Sequence, residues 1–325
     1  MYNIIMSKKS SVKTTIKQFL NAIFSNNNFK QLISNDKLNE LLDLKIKYFT
    51  LYNKKSSLPI LDSYSKIKYD FIKEVDENYS LVKFSVYSIF DIDGNSFNSI
   101  TTSTYISLLK KISDKWFIDY ISDIESLKDT VNYKDPKTFI LFYNTLLDNE
   151  IDKYNSLLLN FNTLNINIKS TVAASSVLKK TSYSKSKAVE YAEKYALNYN
   201  KEYIDFDKNG GDCTNFVSQT IHYAGIQTSS TWKPYSNPWV RVNELRNYLI
   251  YNHLAFETTN INQNCVGSII QFFSPIKNTW SHSGIITYNT GNTCLYCCHS
   301  YDKLNYPLSY VYPNIYPKIR IVVPY

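Results

Sequence analysis

The chain has 325 residues, a net charge of +8, 44% apolar and 20% charged residues, enough to bury a sizeable core and to exclude a disordered tail. Seven Gly and nine Pro are too few for a collagen or a flexible-linker protein, and apolar runs only a few residues long exclude a membrane-spanning helix. The positive charge is spread along the chain without the focused stripe that nucleic-acid binding needs, so no nucleic-acid partner is expected. At about 150 residues per domain, the length predicts two domains.

The start, Met1 to Thr15, has no apolar stretch of secretory length followed by small residues, so no signal peptide is read there. The cysteine count is odd, and Cys294, Cys297 and Cys298 are too close together for a disulfide framework. Together these point to a reducing, cytoplasmic setting; a lost leader or a non-classical export route would instead place the chain outside the cell or in the cell wall.

Ile16, Phe19, Leu20, Ile23 and Phe24 have the spacing of an amphipathic helix over 12–25, and Leu38, Leu41, Leu42, Ile46 and Phe49 that of a second over 36–52. The period then changes. Alternation through Ile67, Tyr69 and Phe71, then Val82, Phe84 and Val86, predicts strands over 65–74 and 79–90, with Asp93-Gly94-Asn95 as a tight turn. Strands over 100–112 and 115–121 complete a run of four. Helices followed by a meander predict an α+β domain over 1–130. Its element order resembles the cone-like cystatin and nuclear-transport-factor folds, with no motif behind the likeness, and the reading gives it a support or binding role.

Phe139, Ile140, Tyr143, Leu146, Leu147 and Ile151 predict a helix over 137–160. The Ser-, Thr-, Asn- and Lys-rich stretch 165–187 reads as a linker, and its Lys179, Lys180, Lys185 and Lys187 as a solvated cluster. The connecting segment is therefore 131–183 and the second domain 184–325. That domain opens with a helix over 186–197 that Ser184 or Ser186 would cap.

All five Cys, all four His, three of the four Trp and six of the seven Gly lie after position 209, so any site built on Cys or His must lie there. In Gly210-Gly211-Asp212-Cys213-Thr214-Asn215-Phe216-Val217, the Gly pair permits a backbone turn and Phe216, Val217, Ile221 and Ala224 begin a helix that Gly225 ends. Cys213 then sits at the first helical turn. Free N–H groups and a partial positive charge there favour a thiolate and can hold an oxyanion. Asp212 reads as stabilising the turn.

A thiolate nucleophile needs a proton carrier, for which His is the usual choice. His222 lies about 13 Å along the same helix at 1.5 Å per residue, too far to pair. His253 falls in a stretch without pattern. His282 begins a strand over 280–288 and His299 ends one over 293–299, with Asn289-Thr290-Gly291-Asn292 as the turn between them. In an antiparallel pair these ends are neighbours, which gives a Cys–His pair with a third group to orient the imidazole. His299, Asp302 and Asn305 are the alternatives for that third group. Trp280, two residues before His282, is expected on the same strand face. Trp232 and Trp239 would line a groove or fill the core. The C-x₂-C spacing of Cys294 and Cys297, with Cys298 and His299, suggests zinc, but alternation sends Cys297 and Cys298 to opposite faces and no knuckle glycine is present. No metal and no cofactor are expected.

The segment from Asp212 to Ile226 resembles the nucleophile helix of the NlpC-like papain-fold cysteine hydrolases. The stretches from His282 to Thr287 and from Cys297 to Ser300 resemble that family's two later strands. The segments beginning at Gly210, Ile269, Trp280 and His299 are most similar to the bacterial putative amidase-domain family, over about 184–325. Ser268 stands where the NlpC-like pattern has Asp, and Asn215 where it has Gly. The resemblance implies an α+β, papain-like (NlpC-type) domain with a helix packed on an antiparallel sheet. It also implies an amide hydrolase with Cys213 as nucleophile, His282 as general base and acid, and His299 as the orienting group. Its partner would be a peptide or amide substrate such as peptidoglycan. A transpeptidase or acyltransferase on the same triad, and a non-catalytic cell-wall- or peptide-binding module, are the alternatives.

Overall fold

The computed structural model describes residues 2–25, 27–56, 60–92, 98–127, 135–163, 182–261, 263–289 and 293–325. The turns expected at Asp93-Gly94-Asn95 and Thr290-Gly291-Asn292, and most of the linker including Lys179 and Lys180, lie outside these residues. Contacts divide the chain into two compact units. One comprises Met1–Leu51, Leu61–Phe90 and Thr102–Thr163; the other Tyr52–Ile60, Asp91–Thr101 and Leu164–Tyr325.

The first unit begins with α1 (Tyr2–Phe24) and α2 (Asp36–Ser56). The strands β1 (Ile60–Glu74), β2 (Tyr79–Ile92), β3 (Asn98–Ile112) and β4 (Lys115–Asp123) follow, each paired with the next. In β2, Val82, Phe84 and Val86 are buried and the residues between them are not, the period of a sheet with one covered face. Val12, Ile16 and Phe19 of α1 and Leu38, Leu41 and Tyr48 of α2 are also buried, and α1 packs on β4. A short helix α3 (Ile124–Leu127) precedes α4 (Pro136–Leu159). Asp135 caps α4 by accepting from the Lys137 N–H, and Pro136 occupies the first turn, where its missing N–H costs nothing. The sequence reads α4 as a connection between domains. In the structure it completes the first unit, because Phe139 and Tyr143 pack edge-on against Tyr120, and Tyr154 against Tyr48.

The second unit contains α5 (Lys185–Tyr195), α6 (Cys213–Tyr223), α7 (Asn237–Val240) and α8 (Val242–Tyr251). Its strands are β5 (Ala255–Thr258), β6 (Ile269–Ser274), β7 (Thr279–Asn289), β8 (Cys294–Cys298), β9 (Lys303–Pro307) and β10 (Ile319–Pro324). They pair antiparallel in the order β9–β8–β7–β6–β10–β5. This is a mixed α+β architecture with helices on an antiparallel sheet.

Both faces of this sheet are covered. On one, Phe216, Val217 and Ile221 of α6 and Leu245 and Leu249 of α8 pack on Ile269, Ile285, Cys297 and Val322. On the other, Ile270, Phe272, Ile286, Tyr296 and Cys298 pack under the segment that carries Leu308, Val311 and Tyr316. Each alternate strand residue thus enters a different core, and this decides where the site residues point. Cys297 enters the helix-side core and Cys298 the other, so the two thiols do not converge. Burial pushes the Cys297 thiol up to about 12 and raises that of Cys294, which keeps both neutral.

Ser184 caps α5 by accepting from the Lys187 N–H. Gly225 ends α6 at a φ of +123°, and a Cβ there would lie 2.6 Å from the Ser182 carbonyl oxygen, so both conformation and space require glycine.

Candidate active site

Cys213 is the first residue of α6 and is 8% exposed. The turn before it depends on Gly211, whose φ is +107° and where a Cβ would lie 3.1 Å from Ser300 Oγ. That close approach lets the Asp212 N–H donate to Ser300 Oγ at 2.6 Å. The Ser300 hydroxyl donates in turn to Asp207 at 2.9 Å.

Asp212 stands at the N-cap position, but its side chain makes no cap bond. It joins three segments instead. Oδ1 accepts from the Phe206 N–H at 3.0 Å and from Asn215 Nδ2 at 2.8 Å, and Oδ2 lies 2.6 Å from His299 Nδ1. Asp212 and His299 are each 1% exposed. His299 Nε2 faces the Tyr195 carbonyl oxygen at 2.8 Å. A carbonyl only accepts, so Nε2 carries a hydrogen. The ring is also clamped between Tyr199, stacked at 3.7 Å, and Phe216 at 4.2 Å.

Asn215 completes this buried network. Nδ2 donates to the Ile204 carbonyl at 2.9 Å as well as to Asp212, and Oδ1 accepts from Trp239 Nε1 at 2.8 Å. Every member is bonded, which rigidifies the turn that presents the thiol. Trp232 and Trp239 are fully buried and fill the core; they form no groove wall. Asp212 has the turn-stabilising role expected of it. Nothing in the local sequence pattern marks Asn215 and Trp239 as members of this network.

The structure bonds His299 to Asp212, the residue before Cys213, and places the His282 ring among aromatic side chains of the other core. Thr214 Oγ1 touches Ser283 Oγ at 3.2 Å, so Ser283 and Ile285 face α6. His282 and Gly284 therefore face the other way. The ring neighbours of His282 agree: Phe272 at 5.5 Å, Tyr301 at 5.7 Å and Tyr316 at 6.0 Å. His299 extends to the helix side, where its ring stacks on Phe216 of α6.

The expectation for Trp280 is also corrected. The β6–β7 register shifts between Phe272 and Phe273, pairing Phe272 with His282 and Phe273 with Trp280, so Ser281 is an extra residue. A bulge reverses the side-chain sense, and Trp280 lies on the helix side under the Arg320 guanidinium at 4.3 Å. Arg320 is held there by Gln271 and Asn243.

Asn305 donates to Glu193 at 3.0 Å, and Asp302 accepts from the Tyr199 hydroxyl at 2.8 Å. Tyr199 also bonds Asp207, so a single phenolic hydrogen serves two carboxylates. Burial, then the Asp207 charge, raises the Asp302 carboxyl above its usual range, against the Tyr199 bond and the positive charges of His299 and Lys303. A carboxyl raised on folding contributes most in acid, and that contribution is lost as pH rises through its folded value. Asp302→Asn, which keeps an acceptor for Tyr199, is expected to be more stable than wild type at pH 7–8, with the gap closing below about pH 4. Urea unfolding at a series of pH values measures this; a gap that widens in acid contradicts it.

His222 Nδ1 bonds the Ile226 carbonyl at the far end of α6, and His253 sits in the turn after α8. Among the described residues, no three or more His, Cys, Asp or Glu side chains are grouped to hold a metal ion, and no helix is long and apolar enough to cross a membrane.

Comparison with known proteins bears on the second unit. Residues 182–323 match the family model described as a putative amidase domain. The uncharacterized protein YjcM of Bacillus subtilis (strain 168) is 33% identical over 163 residues, which is 47% of this chain and 38% of that protein. The chain thus spans about two fifths of that relative's length. No solved structure matches. The family description supports amide hydrolysis in general terms.

Proposed function

We propose that the second unit is a cysteine-dependent amide hydrolase that works through an acyl-enzyme on Cys213. The observation that carries this reading is the thiol's position, at the first residue of a core-anchored helix and beside a carboxylate that three segments hold in place. The first helical turn has N–H groups without intrahelical partners. In the proposed cycle the thiolate attacks the amide carbonyl carbon and those N–H groups hold the resulting oxyanion. The tetrahedral intermediate expels the amine, which takes a proton from an imidazole. Water, deprotonated by the same imidazole, releases the acid and restores the thiol.

The resemblance assigns these proton transfers to His282 and an orienting role to His299. His299, bonded to Asp212, instead positions the start of α6. His282 lies beside the β6–β7 bulge, and bulges re-aim side chains. Moving the extra residue from Ser281 to His282 would turn the imidazole toward α6 and leave Ser283 in place, and the proposal requires this in the active form. The present face of His282 favours a second reading, a peptide-binding module with an idle thiol.

The NlpC-like resemblance directs the substrate search to peptidoglycan peptides. The test is mass analysis of such peptides after incubation with the protein. Free acid and amine are the expected products; an acid–amine adduct with an added amine would indicate a transferase. His282→Ala is expected to lower turnover by about 10²–10⁴-fold. Unchanged turnover would remove His282 from the mechanism, and tight peptide retention without any product would favour the binding module.

A further inference from the structure

We infer that Thr214 is a second catalytic group of this site, whose hydroxyl donates to the Cys213 thiolate and is itself held by Ser283. The inference rests on the reading of Cys213 as the nucleophile. Cys213 Sγ lies 3.8 Å from Thr214 Oγ1, which lies 3.2 Å from Ser283 Oγ. Thr214 is 1% exposed and Ser283 is fully buried.

Phe216 and Val217 of α6 and Ile269 and Ile285 of the sheet make apolar contacts beside the two hydroxyls, so close packing at this point does not itself require them. Valine matches threonine in shape, and alanine would fill the strand position without taking a hydroxyl out of water. Neighbouring residues on a helix do not normally face each other, so the contact of Thr214 with the preceding thiol is a property of this first turn. The two hydroxyls form a chain that ends on sulfur.

The chain suits either protonation state. In the thiol form, S–H donates to Thr214 Oγ1 and the Thr214 hydrogen points to Ser283 Oγ. When the thiol proton leaves for the proton carrier, the Thr214 hydroxyl turns to donate to the thiolate, and the Ser283 hydroxyl turns to donate to Thr214 Oγ1. Only the thiol proton changes owner, and no heavy-atom bond forms or breaks. A hydrogen bond to an ionised partner is about twice as strong as a neutral one, so the chain favours the thiolate.

The test is the rate of Cys213 alkylation by iodoacetamide against pH, with peptide mapping to separate the other four cysteines. Thr214→Val is expected to label roughly tenfold more slowly than wild type near pH 6.5, the effect of losing a hydrogen bond to a charged group. Thr214→Ser is expected to restore the wild-type profile. Ser283→Ala, which keeps the Thr214 hydroxyl, is expected to shift the profile less and in the same direction, and it serves as the second variant if Thr214→Val does not fold. A Thr214→Val profile that superposes on a fast wild type overturns the role of Thr214 and leaves Cys213 as nucleophile. A wild type that labels like an ordinary thiol overturns both.

Discussion

Replacing His299 with alanine is expected to destabilise the second unit by about 3–5 kcal/mol, the cost of removing one partner from a buried hydrogen-bonded pair together with a large buried side chain. The substitution strands the Asp212 carboxylate, which is 1% exposed and keeps only its bonds to Phe206 and Asn215. It also empties the slot between Tyr199 and Phe216 and frees the Tyr195 carbonyl. His299→Gln retains a donor and part of the volume and is expected to lose less. Urea unfolding followed by the fluorescence of the buried Trp232 and Trp239 would report the change. A loss below about 1 kcal/mol would mean that the pair contributes no more than a typical surface contact.

Cys213→Ala is expected to abolish amide hydrolysis, by on the order of 10⁴-fold or more, while the fold persists. The thiol makes one weak polar contact, with Thr214, and α6 is anchored by Phe216, Val217 and Ile221, so its loss costs little packing. Turnover and unfolding should therefore separate in this variant, whereas His299→Ala changes both. Residual hydrolysis within tenfold of wild type would place the chemistry elsewhere.

Much of this architecture is legible in local pattern. The spacing of Phe216, Val217, Ile221 and Ala224 gives the helix and its start, and the Gly pair gives the turn before it. Alternation gives the first two strands of the first unit, and in β2 Val82, Phe84 and Val86 are buried with less buried residues between them. Cys297 and Cys298 diverge as alternation predicts.

What escapes local pattern is pairing at long range. The bond from His299 to Asp212 spans 87 positions, and the bond from Trp239 to Asn215 spans 24. Neither leaves a periodic signal. The face of His282 escapes for a different reason. The sequence locates the strand, but both faces of the sheet are buried, so apolar residues occupy alternate positions of both sets and do not fix the sense. The bulge at Ser281 then reverses Trp280 relative to His282, and no residue type announces it. The apolar stripe of α4 shows that it packs without showing on what, so the sequence alone reads it as a connecting helix.

The central claim is that Cys213 is an activated nucleophile. The direct measurement is its alkylation rate from pH 5 to pH 9 in wild type and His282→Ala, with each cysteine followed by peptide mapping. Cys265, Cys294, Cys297 and Cys298, all 1% exposed or less, should stay unlabelled while the protein is folded. Fast labelling of Cys213 well below pH 8 is expected, with a profile that moves toward an ordinary thiol when His282 is removed. Labelling that rises only near the free-cysteine value of about 8.5, unchanged by the substitution, would contradict it.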